Sequence, residues 1–475
     1  MGVVKKIVSL SSLSNNSNLR LCLSRDAPKT SRKLVRLLDC LSLFESGKRP
    51  KGGIVYLEGE NVAISLGGEQ IGKDGRIDLS NAPLVPLEFF ESSDKGIIKN
   101  GDILVCKDGA LTGKCCLVKH NFPVKEVMVN EHVYIVRANK KYLQAFLFYL
   151  LRDEFTQFQI RDLAYRKKGQ PGLNTDHLKL IKVPFFDIKE QESYLKQLEN
   201  LENEMELLIS SKIDPVRIIN KVFGEVFDFN WIEFEHIKQE RNYDSSIQGF
   251  ANNIDCRMGV RFHNKAGKYL QSFLGKITTK RIKDFISEPI VLGKSVSPKD
   301  YNEEGKYFYI AMSNIKTWAF EAEGCQKVSD EYSCGNLNKT VQKGDILLAR
   351  SGEGTIGKVA LIEDEKINGI FADFTQRIRL TGFDALCAYY YFRSEFFQYL
   401  VYTHKKGLGN NTNIFPSQIK EFPMPDWDEK QQAEIVESIK TQLDEQKEID
   451  RKIEEIQKTI KNIVNEAIKS EYVSA

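Results

Sequence analysis

The chain has 475 residues, 68 Lys and Arg against 65 Asp and Glu, and a formal net charge of +3. That balance excludes a tail-like or histone-like nucleic-acid binder but leaves room for a local basic face. No stretch reaches the roughly 18 apolar residues of a membrane span, the longest run lying near Leu143–Leu151. Residues 1–14 contain Lys5 and Lys6 but neither an adequate apolar core nor a small-residue cleavage site, so no signal peptide is expected. Lys6 also stands where a myristoylation motif needs Ser or Thr. Nine cysteines without a Cys-x-x-Cys pair, Cys115 and Cys116 being adjacent, suit reduced thiols in a cytoplasm and small buried side chains.

In chain order, Lys51–Leu66 carries a strand-like run of Val, Ile, Tyr and Leu. The segment Lys99–Lys114 then reads as a strand (Asp102–Cys106) and a Gly-containing turn (Lys107–Lys114), with a further strand at Cys115–Val118. Another strand is expected at Glu131–Val136, followed by an aromatic helix over Leu143–Phe158 whose stripe packs a core. A Gly/Asn-rich basic loop follows, and Gln191 opens a long polar helix. Pro215 behind Asp214 looks like a first-turn proline behind its cap, so the helix is broken or restarted there. Phe223–Phe250 is an aromatic, acidic connection.

The same order then returns. Tyr307–Phe320 is strand-like, and Gln342–Lys358 repeats the Gly-Asp-Ile-Leu signature as strand Asp345–Ala349, turn Arg350–Lys358 and strand Val359–Ile362. Strand Asp373–Leu380, aromatic helix Ala385–Val401, a basic loop and a polar helix from Gln431 complete the second copy. Further landmarks agree: Asn15, Asn16 and Arg20 with Asn252, Asn253 and Arg257; Tyr56, Leu57, Asn61 and Val62 with Tyr309, Ile310, Asn314 and Ile315. Tyr149–Arg152 matches Tyr391–Arg393, and Asn174 and Pro184 match Asn413 and Pro423. A period of about 240 residues is a duplicated domain, since solenoid units run only about 20–50. Residues 15–236 and 252–475 therefore read as two copies of one plan, each large enough to bury a core. Two similar domains imply two similar docking events on a two-sided or repetitive partner.

The polar helices carry a seam. Ile449, Ile453, Ile456, Ile460 and Ile463 step by alternating fours and threes, as do Leu198, Leu201, Met205 and Leu208. The two helices are expected to pack as an antiparallel pair between globular heads. About 26 residues at 1.5 Å each make a spacer of roughly 40 Å, close to one turn of B-DNA at about 34–36 Å.

Gly352–Lys358 approaches a phosphate-binding loop, yet Val359 replaces the required Ser or Thr and a strand is expected where a helix should follow. Gly109, Gly113, Gly352 and Gly357 are better read as turn glycines permitting positive φ. No paired acids, His–Cys–Asp set or metal-ligand cluster recurs in both halves, so no catalytic residue and no metal site is assigned. The basic loops are the candidate DNA-binding residues: Lys48, Arg49 and Lys51; Lys107 and Lys114; Arg161, Arg166, Lys167, Lys168 and Gln170; Arg350 and Lys358; Lys405, Lys406, Asn410 and Asn411. Lys and Arg neutralise phosphates, and Arg, Asn and Gln can read purine edges. A charge cluster is also commonly a plain solvated face.

With its doubled Gly-Asp-Ile-Leu…Gly-Lys signature, the preceding Asn61-Val62 and Asn314-Ile315, and the Leu180–Pro184 and Ile419–Pro423 lead-ins, the chain resembles specificity subunits of type I restriction–modification systems over nearly its full length. It departs from the usual pattern in its extra N-terminal stretch and in the Phe223–Phe250 connection. The resemblance implies a non-catalytic subunit that reads a bipartite double-stranded DNA target and docks two methyltransferase subunits, with restriction–translocase subunits joining for cleavage. S-adenosylmethionine would belong to the methyltransferase partner, and no cofactor to this chain. The expected fold is α+β: two tandem pseudo-repeat globular DNA-recognition heads joined by an antiparallel pair of long coiled-coil helices. The expected boundaries are an N-terminal extension (1–14), target-recognition domain 1 (15–187), helical spacer 1 (188–225), a linker (226–251), target-recognition domain 2 (252–426) and helical spacer 2 (427–475). A cytoplasmic protein without membrane contact is expected. Two other readings stay open: a coiled-coil scaffold that binds proteins without DNA readout, and a nuclease with a diffuse acidic site.

Overall fold

The computed structural model describes residues 28–51, 61–165, 170–240, 242, 244, 246–251, 257–409 and 411–470. They divide into two units, one drawn from Met1–Ser210 and Arg451–Ala475, the other from Ser211–Asp450. The landmarks Asn15, Asn16, Arg20, Tyr56, Leu57, Asn252 and Asn253 and the extension 1–14 lie outside the described residues.

In the first unit the strands are β1 (Leu34–Arg36), β2 (Leu41–Ser46), β3 (Val62–Leu66), β4 (Leu84–Pro86), β5 (Ile103–Cys106), β6 (Cys115–Leu117), β7 (Val127–Val129), β8 (Val133–Ala138) and β9 (Lys182–Pro184). Its longer helices are α1 (Gln144–Arg152), α2 (Glu154–Ala164), α3 (Thr175–Leu180) and α4 (Ile188–Ser211). One sheet has the order β2-β8-β5-β6 and another the order β4-β3-β7, while β1 pairs with β9. All four residues of β5 are buried, which is why the run is continuously apolar rather than alternating. Leu104 lies opposite Cys116 on one side and Ile135 on the other.

The second unit repeats this plan. After α5 (Pro215–Phe227), α6 (Trp231–Gln239) and α7 (Lys265–Ile277) come β10 (Val291–Leu292), β11 (Tyr307–Ile310), β12 (Gln326–Val328), β13 (Ile346–Ala349), β14 (Val359–Leu361), β15 (Gly369–Phe371) and β16 (Thr375–Ile378). Helices α8 (Ala385–Arg393), α9 (Glu395–His404) and α10 (Glu429–Lys469) follow, the last running on into the first unit. The sheets β10-β16-β13-β14 and β12-β11-β15 match those of the first unit strand for strand. Even the single parallel pairing recurs, β3 with β7 and β11 with β15.

The same buried ion pair closes both signatures. Arg137 donates from Nε and Nη2 to Asp102 at 2.6 and 2.8 Å. Arg379 donates likewise to Asp345 at 2.7 and 2.8 Å. Each carboxylate also accepts a backbone N–H three residues upstream, from Lys99 at 2.7 Å and Gln342 at 2.8 Å. Charge-assisted, bidentate bonds of this kind hold a planar geometry. In both cases the carboxylate raises the pKa of its arginine, first through the hydrogen bond.

Gly109, Gly113, Gly352 and Gly357 sit at φ +80°, +89°, +87° and +89°, a region that costs a side chain. A glutamine pins each turn: Gln157 Nε2 donates to Gly113 O at 2.8 Å and Leu151 O at 2.7 Å, and Gln398 Nε2 to Gly357 O at 2.8 Å and Phe392 O at 2.6 Å.

Several expectations are corrected. The aromatic helix expected over Leu143–Phe158 is two helices, broken at Asp153 (φ −67°, ψ 150°), whose side chain caps α2 by accepting from Phe155 N. Ser394 (φ −69°, ψ 156°) breaks the counterpart expected over Ala385–Val401 into α8 and α9. A buried glutamine also realigns the repeat. Gln191 accepts from Leu143 N and Gln432, not Gln431, accepts from Asp384 N, at 2.7 and 2.6 Å. Gln431 instead exchanges bonds with Asp428 at its helix start, as Glu190 does with Asp187. Likewise Leu37 N donates to Ile181 O and Ile282 N to Phe422 O, so Pro184 corresponds to Pro425 rather than Pro423. Leu173 N and Ile414 N bond Lys107 O and Arg350 O, so Gly172, not Asn174, is the counterpart of Asn413.

The stretch 226–251, expected to be a linker, sends Phe227, Phe229 and Phe234 into the core of the second unit. Phe223, at the end of the expected spacer 188–225, joins them: its ring lies 5.8 Å from Tyr391 and 5.8 Å from Trp427. Aromatic side chains bury too much apolar area to be left in a solvated connection. Asp214 caps α5 with a proline in the first turn.

On the seam, Leu198 and Met205 are buried in α4, with Leu201 and Leu208 half-buried. In α10, Ile453, Ile456 and Ile460 are buried and Ile449 half-buried, but the buried face continues through Val464 and Ala467, leaving Ile463 half-buried. A straight helix drifts against a strict seven-residue repeat, which moves the face by one position. Arg32, almost fully buried, holds the two helix ends within the first unit: it donates to Ala467 O at 2.8 Å and to Glu190 at 3.0 Å, its guanidinium 3.9 Å from the Phe186 ring centroid.

Two outcomes follow from these contacts. Asp345→Ala leaves the Arg379 guanidinium without its carboxylate and should destabilise the second unit by about 3 kcal/mol, measured by denaturant titration of the full chain. Gly109→Ala and Gly357→Ala both pay for positive φ, but a Cβ on Gly357 would meet Gln398 Oε1 at 2.6 Å, against 3.3 Å to Gln170 Nε2 for Gly109. The Gly357 variant should therefore lose at least about 1 kcal/mol more in the same titration; equal losses would contradict the clamp.

Candidate nucleic-acid interface

Beyond each signature strand, three backbone segments pair into a small ledge. In the second unit Arg350 N donates to Phe374 O and Ile414 N to Arg350 O, both at 2.9 Å, while Gly352 N reaches Thr412 O at 3.3 Å. Lys406 and Asn413 exchange backbone bonds at 2.7 Å, adding a fourth strip. In the first unit Lys107 N donates to His132 O and Leu173 N to Lys107 O, both at 2.8 Å, and Gly109 N to Pro171 O at 2.9 Å. The two ledges are built alike because each starts from the far end of a signature strand whose near end is clamped. Short backbone ladders make them rigid, while the side chains remain free to differ.

The ledges gather many of the candidate residues. Lys107 lies on the first: its Nζ donates to Glu131 O at 3.4 Å and stands 5.4 Å from the Tyr134 ring centroid. Arg350 lies on the second, where Nε donates to Asp373 O at 2.8 Å and Nη1 to Asn413 Oδ1 at 3.5 Å. Gln170 is exposed next to the first ledge and Asn411 next to the second. Arg49 pairs with Glu131 at 2.7 Å, bringing the Gly/Pro loop to the same place, whereas Lys48 pairs with Asp94 and Lys51 is exposed. Arg166, Lys167, Lys168 and Asn410 lie outside the described residues.

Other candidates have partners within the chain. Lys114 donates to Ile71 O at 2.7 Å, and Lys358 sits 6.0 Å from the Trp318 ring centroid. Arg161 pairs with Glu154. Lys405 is buried and joined to Glu353 at 2.6 Å, which Thr412 also contacts at 2.9 Å. The hydrogen bonds from Lys405 and Thr412 hold the Glu353 carboxyl below its ordinary pKa. These bonds tie the Gly352 turn to the 405–413 loop from beneath. Arg257 donates to His404 O and Lys405 O at 2.7 and 2.8 Å, and Arg261 to Gly407 O at 3.2 Å, bracing the loop from the other side. A strand, not a helix, follows Lys358, so no phosphate cradle forms there.

Charge clustering in the sequence misses partners that complete the ledges, because they stand just before the third strand after the signature strand. His132 Nδ1 is 2.8 Å from Asp108 Oδ1 and its Nε2 is 3.2 Å from Glu131 Oε1. At the corresponding place in the second unit stand Ser351, Asp373 and Phe374. The available signal was the residue just before the β8 and β16 runs, which differs between two otherwise matched copies.

No helix among the described residues is long and apolar enough to cross a membrane. No curated protein matches the chain. Among solved structures, it is similar to a chain from work on complex assembly and conformational transition of the type I R-M system, at 13% identity, 94% of this chain, 100% of that chain and TM-score 0.47. It is also similar to the HsdS subunit from Thermoanaerobacter tengcongensis, at 13% identity, 94% of this chain, 99% of that chain and TM-score 0.32. The type I restriction-modification S subunit from M. genitalium gives 13% identity, 95% of this chain, 99% of that chain and TM-score 0.39. The family model of the type I restriction modification DNA specificity domain matches twice, at residues 45–214 and 275–464, each match containing one signature, one clamp and one ledge. The chain belongs to that family of DNA specificity domains.

Proposed function

We propose that the chain reads a split double-stranded DNA target, one half-site per ledge, and holds methyltransferase subunits at the site. The observation that carries this reading is the duplicated ledge: one backbone scaffold, clamped in the same way, presenting different side chains in the two units. Equal scaffolds fix equal docking, and unequal side chains read unequal sequences. Joining two reading units on one chain makes the second contact intramolecular, which raises affinity without new contacts.

The antiparallel helix pair is the ruler in this proposal. Its support is local. Arg32 bridges Glu190, near the start of α4, to Ala467, near the end of α10, and Glu202 and Met205 share a cleft with Glu454 and Ile460. The 24 residues of α4, at about 1.5 Å each, span roughly 36 Å, near one turn of B-DNA. The domain boundaries in this reading are target-recognition segments at 15–187 and 252–426, followed by α4 and α10, which the two family matches also reach. The chain itself performs no chemistry. S-adenosylmethionine belongs to the methyltransferase subunits, restriction–translocase subunits join for cleavage, and the complex works in the cytoplasm.

Modified bases should be mapped across the genome of the source cell with the gene intact and deleted. Loss of methylation at one split motif is expected on deletion, and an unchanged map in a cell with an active methylation system would refute the reading. Removing one turn from α4 should alter the spacing between the half-sites while preserving both of their sequences. Unchanged spacing would refute the ruler.

A further inference from the structure

On the ledge of the second unit two apolar side chains face solvent: Phe374 is 49% exposed and Leu408 87% exposed. Leaving a large apolar side chain on a rigid polar ledge forfeits burial energy. The Phe374 backbone is fixed, because its carbonyl accepts from Arg350 N at 2.9 Å and the next strand, β16, begins with the buried Thr375. The loop carrying Leu408 is braced by Lys405–Glu353, Thr412–Glu353 and the Arg257 and Arg261 bonds, the last reaching Gly407 O at 3.2 Å. Cations outnumber anions here: Arg350 and Asp373 adjoin Phe374, while Lys405, Lys406, Arg257 and Arg261, with Glu353 among them, lie along the loop that carries Leu408. A cationic frame around a fixed apolar face complements a polyanion that carries apolar groups on an edge, which describes duplex DNA with thymine methyl groups in its major groove.

We infer that Phe374 reads the 5-methyl group of thymine in the half-site bound by the second unit. The corresponding position in the first unit is His132, held by Asp108 and Glu131, which gives that ledge a polar face. The thymine requirement therefore belongs to one half-site only. This inference rests on the proposed DNA-reading function.

The test uses the complex purified from the source cell and duplexes carrying the mapped motif, with each thymine in turn replaced by uracil, which pairs identically but lacks the methyl group. With the unsubstituted chain, one uracil position in one half-site should weaken binding about fourfold, the value of one buried carbon at about 0.8 kcal/mol. Phe374→Ala should bind thymine and uracil duplexes equally, and Phe374→Leu, which keeps an apolar face, should retain the difference. Equal discrimination by the unsubstituted chain and Phe374→Ala overturns the inference, as does an absence of any uracil effect. Failure of the underlying function shows itself differently, as a complex without a preference for the motif over scrambled duplex.

Discussion

A carboxylate taken out of water must be paired, and in both units the structure is organised around one that is. Asp102 and Asp345 precede a strand with no polar residue to spare, and each is answered by an arginine, Arg137 in β8 or Arg379 just past the end of β16. The pairing sets the register between signature strand and partner. It also closes the turn upstream through Lys99 N and Gln342 N. With that end fixed, the far end of the same strand must emerge at one place, and the Gly turn and the ledge begin there. A buried pair is weak evidence for net stability, but a lone partner left behind is costly, so the arrangement tolerates neither slippage nor loss of one member.

The second constraint is how the glycine turn meets the helices. Gln157 and Gln398 each hold a turn carbonyl and a carbonyl at a helix break with the same amide. A straight helix over Leu143–Phe158 would have no free carbonyl at Leu151 to offer. The breaks at Asp153 and Ser394 thus serve the turn as well as the helices. Function can then vary on a constant frame: His132 in one unit and Phe374 in the other occupy the same backbone position without disturbing it. Rigid elements that carry variable surface side chains are a general way to separate stability from recognition.

Much of the plan was legible in the chain. The two Gly-Asp-Ile-Leu copies declare their strands because four apolar residues in a row between turn signals fit a strand buried on both faces. Asp214-Pro215 announces a helix start, since proline there has no N–H to lose. Other features were hidden because they depend on contacts distant in sequence. Lys405 reads as a surface cation until Glu353 and Thr412 are seen around it. Gln431 reads as the equal of Gln191 until the buried amide of Gln432 is found making the matching bond. The 226–251 stretch reads as a connection until Phe227, Phe229 and Phe234 are found in the core.

Sequence by itself determined that the protein is a duplication, where its signature strands and glycine turns fall, and that a helix starts at Asp214-Pro215, because these follow from local periodicity, φ preference and capping. Only the tertiary structure decided the alignment of the copies to the residue, the membership of the aromatic stretch in the second unit, and which cations have partners within the chain and which border the ledges. The reason is physical: a side chain's role depends on whether water or a partner surrounds it, and partners such as Arg32 and Ala467 are brought together by folding from opposite ends of the chain.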